Sequence, residues 1–209
     1  LRPCVKFHNG ATMTSADVKY SFERCKDPAT GAVNFEVFNN VAAIETPDDL
    51  TVIIKMNAIN APFLSRLSEN GAGVIMPVDS GPTQGTNPMG AGPFKFVSWT
   101  KGDRVELAAN PNYWDKSKIK FKKVTFKVMS DVTARLNALL SGQIDATLLD
   151  TKTSPTAKSR KMTQYLSNVD WQGLLIFDRA GKINPALKNV KVRQAIAHAI
   201  NRPALLKAL

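Results

Sequence analysis

The chain has few of the residues that chemistry at a site usually needs. It contains only two histidines, His8 and His198, and two cysteines, Cys4 and Cys25. The histidines lie far apart in sequence and no Cys, Asp or Glu cluster has metal-site spacing, so no metal is expected and His8 reads as a structural, hydrogen-bonded side chain. A Gly-x-Ser-x-Gly elbow and a Gly-Lys-Ser/Thr phosphate loop are both missing. Gly90-Ala91-Gly92 lacks the third glycine and following helix of a dinucleotide fingerprint, so no cofactor is expected. Carboxylates are plentiful but pair at no catalytic spacing, and the residues point to a binding protein rather than an enzyme. No apolar run approaches the roughly 20 residues of a bilayer-crossing helix. No signal peptide is expected in these residues either, because Leu1-Arg2-Pro3 has no apolar core. The chain starts almost within a strand and ends within the helix-like 203–209, so it reads as a fragment.

What is present suffices for one or two hydrophobic cores: 209 residues, 44% of them hydrophobic. The net charge of +11 is unevenly spread. Residues 1–93 carry 7 Lys and Arg against 9 Asp and Glu, a net of −2, whereas residues 94–209 carry 21 against 8, a net of +13. A basic half invites a nucleic-acid reading, but no nucleic-acid motif accompanies it, and solvated lysine faces are the simpler account. Cys4 and Cys25 bracket a strand–turn–helix unit that could bring them together, so a disulfide and two small buried side chains both stay open.

Along the chain, residues 5–8 read as a short strand turned by Asn9-Gly10. Thr14-Ser15-Ala16-Asp17 is a capping box for a helix to about Cys25, with Val18, Phe22 and Cys25 on one face. Strands over 41–45 and 51–56 form a hairpin, Ala61-Pro62 opens a short helix closed by Asn70-Gly71, and 74–76 reads as another strand. The Gly-, Pro- and Thr-rich stretch 79–87 is a lobe boundary. Residues 87–114 then form a glycine–proline knot (Gly90, Gly92 and Pro93, with the glycines expected at positive φ), a hairpin of 94–99 with 104–108, and an aromatic exit at Tyr113-Trp114. Trp99, Tyr113 and Trp114 are expected to be packing residues. A strand at 124–128, a helix capped by Ser130 and stopped by Gly142, and a strand from Ile144 make a β-α-β unit, which predicts a parallel pair. Residues 170–177 read as a mostly buried strand. Ser154-Pro155 starts a further helix, and 190–202 is another, followed by a new cap at Asn201.

Four passages carry a family resemblance: VKFHNGATMTSADVKYSFER at 5–24, NPMGAGPFKF with NPNYW at 87–114, KKVTFKVMSDVTARLNALLSGQIDAT at 122–147, and NVKVRQAIAHAINR at 189–202. In this order they resemble the family 5 extracellular solute-binding proteins, the peptide-, dipeptide- and nickel-binding receptors of ABC importers. The resemblance implies a mixed α/β (α+β) fold of the periplasmic-binding-protein type II kind. It would be present in part, with residues 1–88 as most of a small lobe and 89–209 as a piece of the first lobe.

The same resemblance implies an exported, periplasmic receptor, monomeric when full length, that closes two lobes over a small solute and presents it to membrane permease subunits. A peptide is the default ligand, and no nucleic-acid partner is implied. Trp171, Gln172 and Gly173 begin the strand that, in the family, runs toward the cleft. Trp171 offers an aromatic wall and Gly173 close backbone approach, while Trp171 as a core anchor is the alternative. Arg135 and Asp145 stand at characteristic places and read as a cap or sheet-edge charges. Asp178 stands near the family's asparagine, Asn184-Pro185-Ala186-Leu187 takes the place of its double proline, and no contact is carried onto this loop. The rival functions are a sensing or structural module on the same fold and a basic nucleic-acid-binding domain.

Overall fold

The computed structural model describes residues 1–68, 71–165 and 174–208. They fall into two compact units, Leu1–Val128 and Met129–Leu209.

The first unit is organised on helix α1, Ser15–Lys26. Its start matches the capping box: the Thr14 amide donates to Asp17 Oδ2 at 2.8 Å. Asp17 in the first turn and Arg24 and Lys26 in the last complement the helix dipole. The apolar face of α1 packs on the antiparallel hairpin of β1 (Val41–Asp48) and β2 (Thr51–Met56). Between them lies a core of Val18, Phe22, Val37, Phe38, Val41, Ile44, Phe63 and Ala72. Phe38, fully buried, stacks tilted on Phe22 at 5.1 Å and meets Phe63 edge-on at 6.2 Å. Phe63 opens the short helix α2, Phe63–Leu67, after Pro62. Ser15 fixes the helix to the hairpin turn, its amide donating to the Asp49 carbonyl and its hydroxyl to that of Asp48.

Two expectations in this unit are replaced by other hydrogen bonding. The 5–8 segment forms only a single antiparallel bridge, Lys6 to Thr12, across the turn at Gly10. Residues 74–76 form no strand. Their neighbourhood is held by α1 side chains instead: Ser21 Oγ accepts from the Met76 amide at 2.9 Å, and Asp17 Oδ1 from the Val78 amide at 3.0 Å. Backbone groups satisfied by a helix have no need of a ladder. Further on, the Tyr20 hydroxyl accepts from the Gly81 amide. A Cβ at Gly81 would stand 2.7 Å from Arg24 Nε and 2.8 Å from that hydroxyl, so a larger residue here would displace both side chains.

A second sheet completes the unit, with β3 (Phe94–Thr100), β4 (Arg104–Ala109) and β5 (Lys123–Lys127) in that order, antiparallel throughout. The predicted hairpin is present, and Gly102 takes φ +78° in its turn. The predicted parallel β-α-β pair is not. β5 pairs with β4, and residues 144–146 join no sheet among the described residues. A crossover needs a strand edge to return to, and the described part of the second unit contains no strand.

That second unit comprises α3 (Val132–Leu140), α4 (Ser154–Ser159), α5 (Val190–Ala199) and α6 (Arg202–Ala208). The cap of α3 is Asp131, not Ser130: its Oδ1 accepts from the Ala134 amide at 2.6 Å. Asn201 Oδ1 caps α6 through the Ala204 amide at 3.0 Å, at the predicted break. Of the described residues here, Leu136, Ala138 and Ala157 are buried. Residues 174–177, expected to be a buried strand, are not in a sheet; Leu174, Leu175 and Phe177 are 63%, 60% and 88% exposed.

Candidate functional site

Within the first unit, the segments around residues 8, 90–92 and 110–114 converge. The His8 amide donates to the Gly90 carbonyl at 2.9 Å. The imidazole then reads the same loop from both of its nitrogens: Nδ1 accepts from the Gly90 amide at 3.3 Å, and Nε2 faces the Gly92 carbonyl at 3.2 Å. A carbonyl can only accept and an amide N–H can only donate, so the ring donates from Nε2 and accepts at Nδ1. His8 is thus a structural clamp, as its isolation from other ligand-type residues led one to expect.

The Gly92 carbonyl is shared with Asn110, whose Nδ2 donates to it at 2.9 Å. Asn110 is 1% exposed. Its Oδ1 accepts from the Asn112 amide at 3.0 Å, and its own amide donates to the Pro93 carbonyl at 2.8 Å. One side chain therefore joins the start of β3 to the exit of β4. Gly90 and Gly92 do not take the positive φ expected of them. Side-chain clamps on their peptide groups hold this loop, not left-handed turn geometry.

Beside the node lies an open cavity of about 460 Å³, lined chiefly by Val5, Met13, Val74, Ile75, the 90–92 backbone, Tyr113 and Trp114. Arg2 stands at its rim with its guanidinium 3.7 Å from the Trp114 ring centre. Tyr113 and Trp114 stack at 5.6 Å. Trp99 and Trp114, expected to be packing residues, are half-buried, at 50% and 49% exposed.

The other singled-out residues lie elsewhere. Trp171, Gln172 and Gly173 are outside the described residues. Arg135 donates to the Met129 carbonyl at 3.4 Å, its buried Nε has no partner among the described residues, and Asp145 is exposed. Asp178 turns its carboxylate onto its own loop, accepting from the amides of Lys182 at 2.8 Å, Ile183 at 3.0 Å and Asn184 at 2.8 Å. These bonds, the Asn184 amide foremost, hold its carboxyl below the usual carboxylate range. Cys4 and Cys25 are free thiols, Cys4 exposed and Cys25 partly buried, and burial pushes the Cys25 thiol up. Among the described residues no three His, Cys, Asp or Glu side chains converge as a metal site. No described helix is long and apolar enough to cross a membrane.

Comparison with known proteins gives this arrangement a context. The description "Bacterial extracellular solute-binding proteins, family 5 Middle" matches residues 1–209. A Brucella ovis protein, provisionally named an ABC transporter peptide-binding protein, is 31% identical over 98% of this chain and 40% of its own length. The glutathione-binding protein GsiB of Pectobacterium atrosepticum is 30% identical over 99% of this chain and 41% of its own length. The chain thus spans about two fifths of these relatives. Among solved structures, NikZ of Campylobacter jejuni in complex with Ni(L-His) aligns over 99% of this chain and 42% of its own, with a TM-score of 0.72 and 26% identity. AgaA of A. tumefaciens R10, in complex with agropinic acid, covers 69% of this chain and 30% of its own at a TM-score of 0.64 and 36% identity. The chain belongs to the bacterial extracellular solute-binding proteins of family 5.

Proposed function

We propose that this chain is part of the substrate-binding component of an ABC-type importer, which captures a peptide or similar small solute outside the cytoplasmic membrane and hands it to a permease. The family match across residues 1–209 carries this reading. The names of the relatives, which cover peptide and glutathione binding, support it. The protein does no covalent chemistry on its ligand in this scheme. It works by population shift: a solute touching two lobes favours the closed arrangement by its differential affinity for it. We assign residues 1–88 to one lobe and 89–209 to another, a boundary that differs from the division between compact units at Val128, and propose Trp171, Gln172 and Gly173, which lie outside the described residues, as solute contacts.

Thermal denaturation of the full-length protein against short peptides, glutathione, nickel chelates and opines tests this. A true ligand at a hundred times its Kd adds about 2.7 kcal/mol and raises Tm by several degrees. Trp171→Ala abolishes that rise, while Trp99→Ala, on the hairpin, retains it. A flat response to the whole panel would remove the peptide assignment. A response that survives Trp171→Ala would remove the site.

A further inference from the structure

The sheet of β3, β4 and β5 has two chemically opposite faces. Its register sets Phe96, Leu107 and Val124 side by side, with Trp99, Val105 and Phe126 in the next row. On the other face, Lys95 lies level with Ala108 and Lys123, and Thr100 with Arg104 and Lys127. Glu106, between those rows, takes ion pairs from Lys123 at 3.0 Å and Arg104 at 3.4 Å. Asp103 also pairs with Arg104 at 2.8 Å, so two carboxylates stand against four cations.

The positive charge runs on past the sheet into the segment leading to β5. Lys116, Lys118, Lys120 and Lys122 are all exposed there and have no ion-pair partner among the described residues. In their midst Phe121 is 67% exposed, and Trp114, just upstream, is 49% exposed. A solvated lysine face accounts for the charges but not for the exposed Phe121 ring it surrounds. Rings interleaved with ammonium groups suit the boundary of a lipid bilayer, where rings enter the headgroup region and lysines meet phosphates.

We propose that the rim formed by residues 114–123 docks onto an anionic phospholipid surface. An extracellular family makes lipid the nearest polyanion, whereas nucleic acid would meet no base-reading motif here. The inference is independent of ligand capture, so failure of either assay leaves the other reading intact.

Co-sedimentation of the purified protein with phosphatidylcholine vesicles, with and without phosphatidylglycerol, is the test. Binding is expected only to the anionic vesicles and is expected to weaken as salt rises. Replacing Lys116, Lys118, Lys120 and Lys122 together by Gln should lower partitioning by at least about tenfold. Removing the same charge from Lys152, Lys158, Arg160 and Lys161, which are also exposed, should change it by less than about twofold. Phe121→Ser should weaken binding several-fold at unchanged charge, and thermal denaturation of each variant verifies that it is folded. The proposal is overturned by absence of vesicle binding, by equal losses in the two quadruple variants, by an unaffected Phe121→Ser protein, or by tighter binding to duplex DNA than to vesicles.

Discussion

At the scale of single residues, two polar side chains do the joining that apolar packing does elsewhere. His8 satisfies an amide and a carbonyl of one loop at once. His8→Ala leaves both without that partner and should destabilise by about 1–3 kcal/mol in chemical denaturation. His8→Gln, which keeps a donor and an acceptor, should recover a good part of the loss; equal loss in both variants would mean that ring packing, not hydrogen bonding, is what counts. Asn110→Ala should cost a similar amount, about 1–3 kcal/mol, because its carboxamide is buried with both ends in use. The two residues differ in how they could be foreseen. The rarity of histidine and the lack of neighbouring ligand types marked His8 as structural. Nothing in an Asn-Pro pair, an ordinary surface-turn signal, marks a residue whose side chain is the buried link between two strand ends.

At the scale of elements, local signals were legible and long-range pairings were not. Thr14 and Asp17, four positions in one run, specify the start of α1 unaided, and Asn201 likewise specifies the break before α6. The pattern at 124–146 has the periodicity of a β-α-β unit, but periodicity carries no information on which edge a strand will meet. β5 met β4. The described end of the expected cleft strand, residues 174–177, is a case of the same limit, since an apolar run announces burial without naming what buries it. The 178–184 loop has its own device, a carboxylate wrapped in backbone amides. Because these bonds lower the Asp178 pKa in the folded loop, their stabilisation is complete above the ordinary carboxylate range. It is lost as pH falls below about 4, through the folded value. Proteolysis at this loop should therefore rise steeply with acidification. In Asp178→Asn it should be faster at neutral pH and nearly independent of acidification.

At the scale of the molecule, the two units differ in what they bury. The first has a contiguous aromatic core around Phe38; among the described residues of the second, Leu136, Ala138 and Ala157 are the buried apolar side chains. Hydrogen exchange should reflect this, with α1 amides protected on the order of a hundredfold more than those of α3. Comparable protection would show that the second unit has stabilising contacts of another kind. Family membership was legible at this scale from four passages, each of which includes loops or helix caps as well as packed residues. Turn chemistry is tied to particular residues, whereas a core accepts many apolar substitutes.

The grip of α1 on the chain near Met76 and Val78 has a consequence for which sequences this fold can accept. Both contacts are made to main-chain amides, so the side chains at 76 and 78 are free to drift, provided neither becomes an imino acid. Proline does occur here, at position 77, between the two amides in use. It occupies the one slot of the three whose missing N–H costs α1 nothing. Met76→Pro or Val78→Pro should thus unseat the segment where Met76→Leu or Val78→Thr would not, a selectivity readable as loss of soluble expression in a saturation library across 76–78.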